Sequence, residues 1–208
     1  RIGAHNIAFN PNRPERIFVG TWGTGVLRSF DNGLSWSDEI ASFVTPSGNE
    51  TPRVFEVAFD PSDPFHAVAI TRNGLYVSED GGVFWDPHPG NFGQNAPVVG
   101  YGFAQIPDGS GVMIAELSPG VGGGRLWKYE WATGELWVGE DSDALRNISG
   151  QSVLGIGFGP DGRLYVGTNR IVFWSDDLGQ TLVRNGPGLP NNNARVMVPD
   201  PEIPGRVL

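Results

Sequence analysis

The 208-residue chain contains no cysteine. That excludes disulfides, thiolate metal sites and a cysteine nucleophile. No stretch approaches the roughly 18 consecutive apolar residues of a membrane-spanning helix, so no membrane span is expected. Charge is sparse. Only 18% of the residues are charged, and the 14 basic ones are scattered without a run. With a net charge of -9 there is no basic stripe for a phosphate backbone, and a nucleic-acid partner is not expected. Helical periodicity is missing as well. Pro or Gly interrupts almost every ten-residue window, and only SDALRNIS (142–149) reads as a helical turn. No signal peptide is recognisable. The chain opens at Arg1 with a strand-like segment, as expected of a processed N-terminus or of a start inside a longer protein.

What is abundant is Gly (31), Pro (17) and Trp (7), a composition suited to many short strands and tight turns. Four segments begin alike: NIAFNPNRPERIFVGT at Asn6, EVAFDPSDPFHAVAIT at Glu56, YGFAQIPDGSGVMIAE at Tyr101 and GIGFGPDGRLYVGT at Gly155. Each reads as strand, Pro/Asp/Gly turn, strand. A Phe recurs as Phe9, Phe59, Phe103 and Phe158, preceded by the small residues Ala8, Ala58, Gly102 and Gly157. A third strand then leads into a tight turn: SFDNGLSW (29–36), SEDGGVFW (78–85), a worn EWATGELW (130–137) and SDDLGQTL (175–182). The Gly33, Gly82, Gly134 and Gly179 of these turns are 49, 52 and 45 residues apart. Units of about fifty residues with four strands each predict an all-β chain, a β-propeller of four-stranded antiparallel blades. The blades fall near 1–48, 49–95, 96–150 and 151–193. Residues 194–208 repeat the DP-turn pattern and start a fifth, so the blades are expected to belong to a larger ring, completed by further blades or a partner chain.

The SxDxGxxW turns resemble the Asp-box (BNR) repeat, and the longer unit is most similar to xyloglucanase-type glycoside hydrolases and sortilin-type repeat proteins. The resemblance covers nearly the whole chain and is weakest in the third unit, where Glu130 and Ala132 replace Ser and Asp. It implies blades and an extracellular or periplasmic setting. It transfers no catalytic residue. The arginine cluster and tyrosine of sialidases have no counterpart here, and the two aspartates of xyloglucanase-type enzymes cannot be matched. The repeats also decide how Asp31 is read. Asp31, Asp80 and Asp177 stand at one place in three turns and cannot converge on one substrate. With Ser29, Ser78 and Ser175 they are expected to satisfy turn N–H groups. Gly33, Gly82 and Gly179 are expected to supply positive φ, and Trp36 and Trp85 to pin the turns.

A binding site is therefore expected on the opposite face, in the loops GTWGTG (20–25), ITRNG (70–74), AELSPGVGGG (115–124) and GTNR (167–170). In register these bring Thr21, Thr71, Glu116 and Thr168 together, followed by varied residues that include Trp22, Arg72 and Asn169. Candidate ligand contacts are Trp22, as a sugar platform or as packing against a loop, together with Arg72, Asn169 and Arg170. Glu116 interrupts the Thr series, and Glu56 stands near the start of an inner strand. They are the candidate carboxylates for glycoside hydrolysis, which needs two at a set separation; solvation at a rim is the alternative. No cofactor is expected. The Gly-rich loop lacks the Lys-Ser/Thr of a phosphate loop. His5, His66 and His88 lack zinc spacing, and SEDGG lacks the calcium-loop pattern, so no metal is expected. NET (49–51) and NIS (147–149) are glycosylation sequons. The expected function is an extracellular, non-catalytic module for a protein or glycan ligand. The alternative is part of a glycoside hydrolase acting on β-glucan or xyloglucan.

Overall fold

The computed structural model describes residues 3–37, 42–44, 52–90, 100–118, 123–139, 153–168 and 171–185. Among them all regular structure is β, in four up-and-down sheets. The first contains β1 (Ala4–Phe9), β2 (Ile17–Thr21) and β3 (Val26–Ser29). The short β4 (Ser42–Phe43) follows. The second contains β5 (Val54–Phe59), β6 (Ala67–Thr71), β7 (Gly74–Ser78) and β8 (Phe84–Pro87). The third contains β9 (Gly100–Gln105), β10 (Gly111–Ser118), β11 (Gly123–Glu130) and β12 (Leu136–Val138). The fourth contains β13 (Val153–Phe158), β14 (Leu164–Thr168), β15 (Val172–Ser175) and β16 (Val183–Asn185). The chain forms two compact units, residues 1–97 with the first two sheets and 98–208 with the last two.

Two features depart from the expected pattern. The first sheet has three strands among the described residues, extended by the Ser37 N–H donating to Arg28 O at 2.8 Å. The chain then crosses to the second sheet, where β4 pairs in parallel with β8, Ser42 beside Phe84 and Phe43 beside Trp85. The other departure is in β9. Phe9 pairs with Ile17, Phe59 with Ala67 and Phe158 with Leu164, each four residues before the Thr of its second strand. Four residues before Glu116 is Val112, and it pairs with Gln105. Gln105 and Ala104 therefore hold the place assigned to Phe103 and Gly102, and Phe103 lies two residues back, opposite Ile114. Residue type alone does not fix the place of Phe103, because the turn and the ladder set the register.

Within each unit, facing sheets bury one core. In the first, Phe18 and Val26 meet Val57, Phe59, Tyr76 and Trp85, with Phe43 stacked on Trp85 at 5.5 Å. In the second, Met113, Ala115 and Leu126 meet Ile156, Leu164, Val166 and Phe173. β9 and β13 run close enough that a Cβ on Gly102 would lie 2.8 Å from Ile156 N, so only glycine fits there. Side chains of the first sheet also reach backbone atoms of the second. Asn6 Oδ1 accepts from Val57 N at 3.0 Å, Asn10 Nδ2 donates to Pro64 O at 2.9 Å, and Asn12 Nδ2 donates to Pro61 O at 2.7 Å.

The Ser–Asp–Gly turns repeat nearly atom for atom. The serine hydroxyl donates to the aspartate (2.8 Å at Ser29, 2.9 Å at Ser78, 2.7 Å at Ser175). It accepts the glycine N–H at 2.8 Å from Gly33, Gly82 and Gly179. The aspartate then accepts N–H groups from the chain leaving the turn: Ser35, Val83 and Phe84, and Thr181. Each glycine has positive φ (83°, 86°, 87°), and so does the residue before it, Asn32, Gly81 or Leu178. Hydrogen bonds from the Ser35 side chain, the Ser35 N–H and the Ser29 hydroxyl hold the Asp31 carboxyl below its ordinary pKa. Trp85 is buried and donates through Nε1 to Gly82 O at 3.1 Å. Trp36 is 40% exposed, although its ring lies against the turn, with Cζ2 3.7 Å from where a Cβ on Gly33 would stand. Trp85 has a further neighbour in Phe43, which β4 brings across from the first sheet.

Candidate functional site

At the opposite end of the sheets the repeated threonines close the turns between second and third strands. All three are buried. Thr21 Oγ1 donates to Gly25 O at 2.8 Å, Thr71 Oγ1 to Gly74 O at 2.9 Å and Thr168 Oγ1 to Ile171 O at 2.8 Å. Each also accepts a turn N–H, from Thr24, Asn73 and Ile171. With the turn held from inside, the next residue points outward. Trp22 and Arg72 are both exposed, at equivalent places on two neighbouring sheets. Their backbone N–H groups donate to Gly3 O and Arg53 O, both at 3.0 Å, which clips each turn to the segment entering the inner strand. Asn169 and Arg170 lie outside the described residues.

Trp22 is packed by its own unit while remaining half-exposed. His5 stacks on it with ring centroids 4.8 Å apart and planes 7° apart, and the Arg53 guanidinium lies 3.5 Å over the ring. Phe55 meets His5 edge-on at 5.6 Å. Burial, and then the Arg53 charge, lower the His5 pKa. The imidazole is therefore neutral at neutral pH, which suits an aromatic stack beside a cation. His5 and Arg53 had no signal in the sequence. They join Trp22 only because the clips to Gly3 and Arg53 bring the entering segments alongside the turns.

The two candidate carboxylates have different surroundings. Glu116 stands in the Thr register, as expected, but in a strand, because β10 continues to Ser118. It is buried, and it accepts a 2.7 Å hydrogen bond from Trp127 Nε1. Burial raises its pKa, opposed by the Trp127 hydrogen bond and the Arg125 charge. Glu56 is half-buried on β5, and among the described residues nothing donates to it. Burial alone raises its pKa to about 7. Glu56 belongs to the first unit and Glu116 to the second. No group of three or more potential metal ligands occurs among the described residues. No helix among them is long and apolar enough to cross a membrane.

No family model matches the chain. It is 28% identical to a xyloglucanase from Paenibacillus sp. over 94% of its own length and 22% of that protein's. The chain spans less than a quarter of the curated relatives it matches. Among solved structures, the GH74 xyloglucanase of Xanthomonas campestris matches with a TM-score of 0.71 and 18% identity, over 97% of this chain and 34% of that one. The extracellular domain of a hybrid two-component system from B. thetaiotaomicron matches with a TM-score of 0.68 and 15% identity, over 96% of this chain and 25% of that one. In sequence the chain is similar to a stretch of xyloglucanases, and in fold to a stretch of propeller-type GH74 enzymes and extracellular domains.

Proposed function

We propose that this chain is the glycan-binding portion of a larger extracellular β-propeller protein that acts on a xyloglucan-type polysaccharide. On this reading its Asp-box blades supply scaffold and binding surface, and the catalytic pair stands on other blades. The observation that carries the reading is sequence similarity to a xyloglucanase along 94% of the chain. The proposed ligand contacts are Trp22 and Arg72, beside the threonine turns of the first unit, and Asn169 and Arg170 of the second. Trp22 is 53% exposed, and with His5 and Arg53 stacked on its ring the part it offers a sugar is its solvent-facing rim. Glu116 is buried and its Oε2 accepts from the Trp127 indole N–H, which supports a structural role for that carboxylate.

The test uses the intact protein in gels containing xyloglucan or cellulose, together with assay of reducing ends released from xyloglucan. The reading expects retardation by xyloglucan that weakens in Trp22→Ala, and turnover that survives Glu56→Gln and Glu116→Gln. Absence of both retardation and released ends would overturn it. Loss of turnover in either Gln variant would move catalysis into this chain.

A further inference from the structure

The end of the first unit that carries the Ser–Asp–Gly turns holds an arrangement that the proposed function does not use. Arg13 and Arg16 flank the Phe65 ring, with guanidinium carbons 5.1 Å and 5.2 Å from its centroid. Arg16 also lies 5.6 Å from the Phe30 ring, and Arg28 lies 5.9 Å from it. Three cations and two aromatic rings thus alternate across the turns of two adjacent sheets, in a protein with a net charge of -9. The rings remain open to solvent, Phe30 at 47% and Phe65 at 40% exposed.

Among the described residues none of the three cations forms an ion pair. Arg28 is the most informative, because it is only 4% exposed. The one hydrogen bond of its side chain among those residues runs from Nη1 to Gly82 O at 3.1 Å, and its buried Nε has no partner there. A buried guanidinium is ordinarily matched by an anion, because removing it from water is costly. The nearby carboxylates of Asp31 and Asp80 are occupied by turn donors. Burial, and then repulsion from Arg13, lower the Arg16 pKa against the opposing effect of Glu15.

We propose that Arg13, Arg16 and Arg28, with the Phe30 and Phe65 rings between them, form a subsite for a carboxylated sugar, a hexuronate unit of an acidic polysaccharide. The guanidinium forks match a carboxylate, which a bare hydroxyl would not satisfy. The solvent-exposed parts of the phenyl rings offer apolar contact to the C–H groups of a pyranose, a surface that a free phosphate or sulfate cannot use. The choice of a sugar rests on the polysaccharide reading above. The site itself stands at the other end of the sheets from Trp22, so the two can fail separately.

Calorimetric titration of the intact protein with a homogalacturonan hexasaccharide tests the proposal, with its methyl ester, inorganic phosphate and a neutral xyloglucan oligosaccharide as separate titrants. The acid form is expected to bind and to weaken at about 0.3 M salt, where charge attraction is screened. Arg16→Gln and Arg13→Gln should each weaken it about tenfold, one charge-assisted contact apiece. Both replace partly exposed side chains, and unchanged xyloglucan binding would show the fold intact. Arg16→Lys should recover only part of the loss, because the ammonium lacks the planar fork. The proposal is overturned if the acid hexasaccharide does not bind, if the methyl ester or phosphate binds as well as the acid, or if both Gln variants bind like the parent. Absence of both xyloglucan binding and xyloglucan turnover would sink the proposed function and leave this site standing.

Discussion

The first and second sheets are built from closely matching sequence, yet they bury it differently. Ile7 and Phe9 are 57% and 64% exposed, whereas Val57 and Phe59, at the same places, are each 3% exposed. Trp36 is exposed and Trp85 is buried. The strand pairings match as well, Phe9 with Ile17 and Phe59 with Ala67. The difference therefore lies in what covers a sheet. The second sheet receives Phe18 and the β4 crossover from the first, while Ile7 and Phe9 meet no described element. A repeat encodes a backbone and a place for each side chain, and the neighbouring sheet decides which places become core.

Substitutions at matched positions test that contrast by chemical denaturation. The largest gap is expected at the phenylalanines. Phe59→Ala should destabilise by about 3–5 kcal/mol, as for a buried aromatic, and Phe9→Ala by about 0.5 kcal/mol or less. Comparable losses at the two sites would show that something covers the Phe9 face. The turn glycines come next. A Cβ on Gly82 would lie 2.3 Å from Cε2 of the fully buried Phe18, on top of a φ of 86°. At Gly33 the nearest atoms are 3.7 Å away, with a φ of 83°. Gly82→Ala should cost about 3 kcal/mol and Gly33→Ala about 1 kcal/mol, the latter from conformation alone.

Glu56 against Asn6 gives a smaller, pH-dependent contrast. The Glu56 pKa is raised from 4.5 to about 7, so the folded state holds a proton that the unfolded chain releases. That stability is fully present below about pH 4.5 and is lost as pH rises towards 7. Glu56→Gln should remove a pH-dependent difference of about 1–3 kcal/mol over this range, and no change in the pH profile would refute the assignment. Smallest is Ser78→Ala, about 1–2 kcal/mol from the unpaired, buried Gly82 N–H. A loss well below this would mean that the turn repairs itself with water.

The turns were legible in the sequence because their hydrogen bonds are local. Ser29, Asp31 and Gly33 satisfy one another within five residues, so spacing alone carries the geometry. Thr21, Thr71 and Thr168 were legible for the same reason, and so was the register of Glu116. The rest depends on contacts far apart in the chain. That Glu116 would be buried under Trp127, that His5 and Arg53 would hold Trp22, and that β4 would cross to β8 has no local signature. The shift at Phe103 is a related failure, since residue identity was matched where ladder register decides the place.

The hydrogen bonds by which side chains of the first sheet hold the second end, among the described residues, on main-chain atoms: Asn6 at Val57 N, Asn10 at Pro64 O, Asn12 at Pro61 O and Arg28 at Gly82 O. Hydrogen bonds to backbone are indifferent to the side chains of the unit they hold, whereas the packing of Phe18 on Phe59 and of Phe43 on Trp85 is not. The joint thus pairs a polar coupling that any unit with the same turn and strand path could accept with an apolar one that selects its neighbour.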